Sequence, residues 1–219
     1  MQKIVKSIDT FYLLFLVSAL ILCASSLLIK PKIILRSDYL APPEVLKNLS
    51  AGLKTQAADS FWLRAVQDFD FCDQPINERE CKGQSWLYLV VDTVVGLDSK
   101  FLDAYFYGGL ALTIMVNDFE GATKIFDKGV KEFPDDWHLS YIAAYHALYE
   151  EKDKLKASKL YLSASENGAP SWTRVLAGSL AVEGGDEAFS RMILEQMIVT
   201  SQEPVLVERL KKKLERFQK

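Results

Sequence analysis

Between Asn117 and Trp137 the chain reads NDFEGATKIFDKGVKEFPDDW. Phe119, Ala122, Phe126 and Gly129 are spaced 3, 4 and 3 residues apart, which places them on one face of a helix. The small residues let a neighbouring helix come close, and Phe126 fills the gap between them. Pro134 cannot extend the helix, so the chain turns into the next one. The pattern then returns. Ala157, Tyr161 and Ala164 lie 35 residues after Ala122, Phe126 and Gly129, Asp153 lies 35 after Asp118, and Pro170 lies 36 after Pro134. A third unit has Ala177-Gly178, a turn at Gly185-Asp186, and then Ser190 and Leu194 at the small and aromatic sites. An earlier, worn unit ends at Leu97-Asp98-Ser99.

The same periodicity predicts helices almost throughout. One long helix is expected over 44–69 and another over 86–97. Pairs follow at 102–116 and 119–132, 138–150 and 154–166, and 171–183 and 186–199. Leu87 to Val95 (LYLVVDTVV) is β-branched enough to suit a strand. It falls where the second helix of a pair belongs, so helix is the reading. No segment sustains period-two alternation. From Pro204, a residue suited to a first helical turn, Val207, Leu210, Leu214 and Phe217 form a stripe that closes the end of a stack. The opposite face carries Arg209, Lys211, Lys212, Lys213, Arg216 and Lys219. It reads as a solvated face with charge suited to a helix C-terminus, or as a contact for anionic lipid or an acidic partner.

These features resemble the tetratricopeptide repeat (TPR) family, whose period is about 34 residues. The resemblance runs over roughly 51–204 and is closest in 103–170. Gly108-Gly109 suits the family's small-residue site in the first helix. The family's usual Trp there is absent, with Tyr105 and Tyr141 nearest to it. The stretch SFWLRAVQDF resembles the start of some membrane-anchored bacterial repeat proteins. The resemblance implies an all-α fold, an α-solenoid of about three or four helix pairs over 44–202 with a capping helix over 203–219. The alternative is a generic bundle of antiparallel helices.

The family lines a concave groove with the first helix of each pair. With units beginning at Leu102, His138 and Ser171, the resemblance implies Asp103, Phe106, Leu110, Thr113 and Ile114 in the first. It implies Leu139, Ile142, His146, Tyr149 and Glu150 in the second, and Trp172, Val175, Ser179, Val182 and Glu183 in the third. Leu110 and Val182 suit packing between helices better than contact. The set contains no Lys or Arg, so the basic clamp that some family members use for an acidic peptide is missing. A hydrophobic helix or extended segment suits such a groove.

Phe11 to Ile29 is nineteen residues without a charge. At ~1.5 Å per residue it would span ~28 Å, close to a bilayer's hydrocarbon core. The run continues past Ala24-Ser25-Ser26 and stops at Lys30, which fits an uncleaved anchor over 11–29 behind a tail over 1–10. A lipoprotein acylated at Cys23 and a cleaved signal peptide are the alternatives; Leu22 is large for a lipoprotein site. Residues 30–43, with Pro31, Pro42 and Pro43, read as a stem.

Lysines and arginines flank the anchor almost evenly, so charge gives little about orientation. Cys72 and Cys81 flank a polar loop and could close a small disulfide, which persists only in oxidising compartments. The other reading is two unrelated thiols. The favoured placement is a single pass in a bacterial inner (cytoplasmic) membrane, with the domain in the periplasm.

Of 219 residues, 49% are hydrophobic and the net charge is −3, which argues against a basic nucleic-acid binder. The two cysteines match no common zinc spacing, and His138 and His146 are the only histidines. No Ser-His-Asp spacing or phosphate loop stands out, and His146 reads as packing or surface. No enzyme activity, cofactor, metal, nucleic acid or small-molecule substrate is expected. Two function classes remain: a membrane-tethered scaffold docking a protein partner of an envelope assembly (secretion, pilus or motility machinery, or a translocon), and a holdase for unfolded segments near the membrane.

Overall fold

The computed structural model describes residues 15–22, 24–25, 42–48, 52–68, 82–201 and 203–215. The chain forms two units, Met1–Tyr39 and Leu40–Lys219. In the first, residues 15–22 and 24–25 are helical, and the remainder of the expected anchor lies outside the described residues. Among the described residues no helix is long and apolar enough to cross a membrane.

The second unit is all-helical among its described residues. A 3-10 turn at Glu44–Lys47 precedes nine helices. These are α1 (Lys54–Gln67), α2 (Trp86–Leu97), α3 (Leu102–Ala111, continued by a π turn over Leu112–Val116), α4 (Phe119–Glu132) and α5 (Trp137–Tyr149). The series ends with α6 (Lys154–Glu166), α7 (Trp172–Glu183), α8 (Glu187–Thr200) and α9 (Pro204–Glu215). Each helix packs on the next. The single helix expected over 44–69 is broken instead, because Gly52 takes a left-handed φ of 81° and Leu53 is non-helical. The β-branched 87–95 segment is helical, within α2.

Three turns repeat one construction. Asn117, Lys152 and Gly185 all have left-handed φ, at 62°, 59° and 87°. Each is followed by an Asp N-cap: Asp118 accepts from the Gly121 N–H, Asp153 from Lys156 and Asp186 from Phe189, at 2.8–3.0 Å. The turns differ in width. The Asp118 and Asp153 N–H groups donate to carbonyls six residues back, at Leu112 and Ala147, whereas Asp186 reaches only five back, to Ala181. The first two turns therefore hold one extra residue, taken up by the π turn in α3 and by a Glu151 N–H bond to the His146 carbonyl after α5.

The core follows the expected spacing. Ala122, Phe126 and Gly129, then Ala157, Tyr161 and Ala164, then Ser190 and Leu194 are all buried. Met197, which was not expected, is buried with them. Leu210 closes the end, with Leu206 and Leu214 packed beside it; Val207 is half-buried and Phe217 lies outside the described residues.

Candidate functional site

The first helices of successive pairs, α3, α5 and α7, lie side by side. Thr113 of α3 hydrogen-bonds His146 of α5, and the Tyr141 ring of α5 meets Trp172 of α7 edge-on at 5.8 Å. Asp136 caps α5 by accepting from the Leu139 N–H at 2.8 Å, so the helix starts at Trp137. Tyr141, Tyr145 and Tyr149 then follow at intervals of four and form one stripe. Tyr145 and Tyr149 touch each other, with ring centres 4.4 Å apart, and both stay about half exposed. On α7, Trp172 and Val175 are exposed to a similar degree. On α3, Tyr107 packs edge-on against Phe106 and is exposed, as is Ile114 at 70%. Aromatic and aliphatic surface thus lies open on all three helices. It is the kind of surface that costs free energy in water unless something covers it.

Several of the expected groove residues do reach the surface: Asp103, Ile114, Tyr149, Trp172, Val175 and Glu183 are exposed. Phe106, Thr113, Ile142 and Glu150 are half-buried, as are Leu110, Ser179 and Val182. Leu139 and His146 are 0% and 1% exposed, so they sit beneath the face rather than on it. The cause is a one-residue shift. The helix begins at Trp137, not His138, and counted from there the same positions are His138, Tyr145 and Tyr149, which are exposed, and Tyr141 and Leu148, which are half-buried against the core. Tyr107, Tyr141 and Tyr145 were not among the expected residues. The signals that mark them are the capping residue Asp136 and the four-residue spacing of the tyrosines.

Beneath the face, His146 joins three helices. Its Nδ1 lies 3.0 Å from the Thr113 hydroxyl, and its Nε2 lies 3.0 Å from the Thr123 hydroxyl and 3.2 Å from the Phe119 carbonyl. Both hydroxyls also reach carbonyls of their own helices, Gly109 and Phe119, at 3.0 Å. A protonated ring would therefore meet acceptors at both nitrogens, with Glu151 3.9 Å away. Burial opposes this and prevails: the His146 pKa is lowered, against the pull of Glu151, the Phe119 carbonyl and Glu150, with Lys156 adding to the lowering. Lys156 sits between Asp127 and Glu151, 2.8 Å from each. Burial works against its charge, but hydrogen bonds to the two carboxylates outweigh it and raise its pKa.

Charged residues on or beside the face include Asp103, Glu150 and Glu183, the last paired with Lys154 at 2.9 Å, and Lys213, whose ammonium donates to the Ser179 hydroxyl at 3.3 Å. Away from it, burial is the main cause that pushes the phenols of Tyr88 and Tyr105 up to about 12. These are packing residues, not acids or bases near neutrality. Among the described residues no group of three or more His, Cys, Asp or Glu side chains is placed to hold a metal ion. The candidate disulfide, Cys72 with Cys81, lies outside the described residues. The arrangement offers apolar contact. No protein-family model matches the chain, and a search of curated proteins also finds no match.

Proposed function

We propose that the chain is a membrane-tethered scaffold of TPR-like helical repeats. Its exposed aromatic face on α3, α5 and α7 docks a protein partner of an envelope assembly. The observation that carries this reading is the run of half-exposed rings, Tyr107, Tyr145, Tyr149 and Trp172, presented by successive first helices. Large rigid rings supply contact area at low entropic cost, which is why they concentrate at binding surfaces. The recurring turn at Asn117, Lys152 and Gly185 supports a repeat rather than an irregular bundle. The partner segment suited to this face is apolar, a helix or an extended strip.

The tether is the uncharged run 11–29. Within its described part, Ser18 donates to the Phe15 carbonyl and Ser25 to the Leu22 carbonyl, both at 2.8 Å. Hydroxyls satisfied inside their own helix suit a segment buried in lipid. We place the domain on the periplasmic side of a bacterial inner membrane and assign no catalytic role and no cofactor.

The test is photo-crosslinking from Tyr145 and Tyr149 in native membranes, followed by mass spectrometry. One partner, recovered in stoichiometric amount and reduced about tenfold by Tyr145→Ala or Trp172→Ala, is expected; that reduction corresponds to about 1.4 kcal/mol of contact energy. The melting midpoint of both variants should stay near wild type. Weak recovery of many unrelated clients would replace docking with a holdase function. Unfolding of both variants would mean the rings are core and not contact.

A further inference from the structure

At the edge of the stack, where the α6–α7 and α8–α9 turns meet, a half-open cleft of about 320 Å³ is found. One part of its wall is polar: Ser165 from α6, Ser171 and Arg174 at the start of α7, and Thr200 and Ser201 at the end of α8. The other part is apolar, made by Ala169, Met197 and Leu206. None of the exposed rings of the first-helix face lines it.

Arg174 is half-buried, and its Nε donates to the Ser165 hydroxyl at 3.2 Å. The Ser165 hydroxyl donates a hydrogen bond to the Leu162 carbonyl at 2.7 Å, which leaves its lone pairs for the guanidinium. Among the described residues Arg174 is in no ion pair, and its terminal nitrogens have no protein partner. The carboxylates nearest in sequence to the lining, Glu166 and Glu203, are exposed. Ser171 precedes α7 without a side-chain capping bond, so the positive end of the helix dipole adds to the guanidinium charge. A partly desolvated cation among hydroxyls, facing an aliphatic wall, is matched by an anion that has an apolar side.

We infer that the cleft binds a carboxylate carried on a short aliphatic body. The guanidinium and hydroxyls hold the carboxylate, and Ala169, Met197 and Leu206 cover the aliphatic part. This ligand is independent of the partner docked on the aromatic face.

The probes are N-acetyl-leucine, N-acetyl-leucinamide and inorganic phosphate. Each is titrated into the full chain in mild detergent by saturation-transfer NMR or calorimetry, with a detergent-only blank. N-acetyl-leucine should bind with Kd on the order of 1 mM, and the amide at least tenfold more weakly. Phosphate should also be weaker, because it cannot use the aliphatic wall. Arg174→Gln should weaken N-acetyl-leucine at least tenfold, and Arg174→Lys less. Equal binding of acid and amide on the wild-type chain would overturn the inference whatever the variants do. Phosphate binding as tight as N-acetyl-leucine would overturn it too, as would a folded Arg174→Gln chain within twofold of wild type.

Discussion

The α3–α4 pair and the α7–α8 pair use the same parts under different constraints. Both turn through a left-handed residue into an Asp N-cap, and both carry a glycine at the same place in their first helix, Gly109 and Gly178. In the α3–α4 pair the parts are tightly committed. Asp118 is fully buried and accepts from the N–H groups of Gly83, Ser85 and Gly121 at 2.7–3.1 Å, so one carboxylate caps α4 and also holds the entrance to α2. A Cβ at Gly109 would lie 2.5 Å from the Phe126 ring. In the α7–α8 pair, Asp186 caps only its own helix, and a Cβ at Gly178 would meet Ile193 at an ordinary 3.5 Å. What recurs along the chain is the backbone of the turn. How much each side chain matters depends on what the neighbouring helices have placed against it.

The sharpest test of that contrast is the pair of capping aspartates. Asp118→Ala leaves three buried N–H groups without their charged acceptor and should cost about 3 kcal/mol or more. Asp186→Ala removes a single cap and should cost ~1 kcal/mol. Both are read from denaturant midpoints of the full chain in mild detergent. Equal losses would mean that the Asp118 link to 83–85 contributes nothing in solution.

The glycines come next. Gly109→Ala forces the Phe126 ring to move and should cost ~1–3 kcal/mol by overpacking. Gly178→Ala has room and replaces a poor helix former by the best one, so it should be neutral or stabilise by up to ~1 kcal/mol. Opposite signs in the two melting shifts are the expected outcome. Destabilisation at both sites would show that the α7–α8 interface is as close as the α3–α4 one.

Much of this architecture is legible in the sequence, for identifiable reasons. The helices from α2 onward are readable to within about two residues because their caps, small residues and prolines are local signals. The break at Gly52 is not, because a lone glycine in an amphipathic stretch reads equally well as helix interior. The aromatic face is half legible. Trp172, Val175 and Tyr149 follow from repeat spacing. Tyr107, Tyr141 and Tyr145 do not, and Leu139 and His146 are misplaced onto the face. The start of α5 is responsible: Asp136 caps the helix, so it begins at Trp137, and counting from His138 puts every position one residue late.

His146 gives a smaller, pH-dependent effect found at the α3–α5 junction and not at α5–α7, where the contact is Tyr141 with Trp172. Its folded-state pKa is lowered from 6.5 by burial. Where pH lies between that lowered value and 6.5, the unfolded chain binds the proton more readily, so stability falls with falling pH. The contribution is complete above about pH 6.5, is lost on acidification below it, and stops changing once pH is under the folded-state value. His146→Gln keeps hydrogen-bonding capacity without the titration. The difference in melting midpoint between wild type and His146→Gln should therefore move against wild type from pH 7.5 to pH 5.5. A difference independent of pH would assign the acid sensitivity to other groups.

The smallest expected effect concerns the turn itself. Asn117, Lys152 and Gly185 hold the same left-handed conformation, but only Gly185 does so without a Cβ penalty, and Asn is the next best tolerated. Lys152 is the costly member of the set. Its ammonium reaches the Tyr149 carbonyl across the turn, an exposed contact that returns little. Lys152→Gly should therefore stabilise the chain by up to ~1 kcal/mol, the relief of the strain exceeding the added freedom of the unfolded chain. Gly185→Lys, the reciprocal change, should destabilise by a similar ~1 kcal/mol. If Lys152→Gly destabilised instead, the Lys152 bond would have to matter more than the backbone does. The three turns would then be alike in shape but held by different forces.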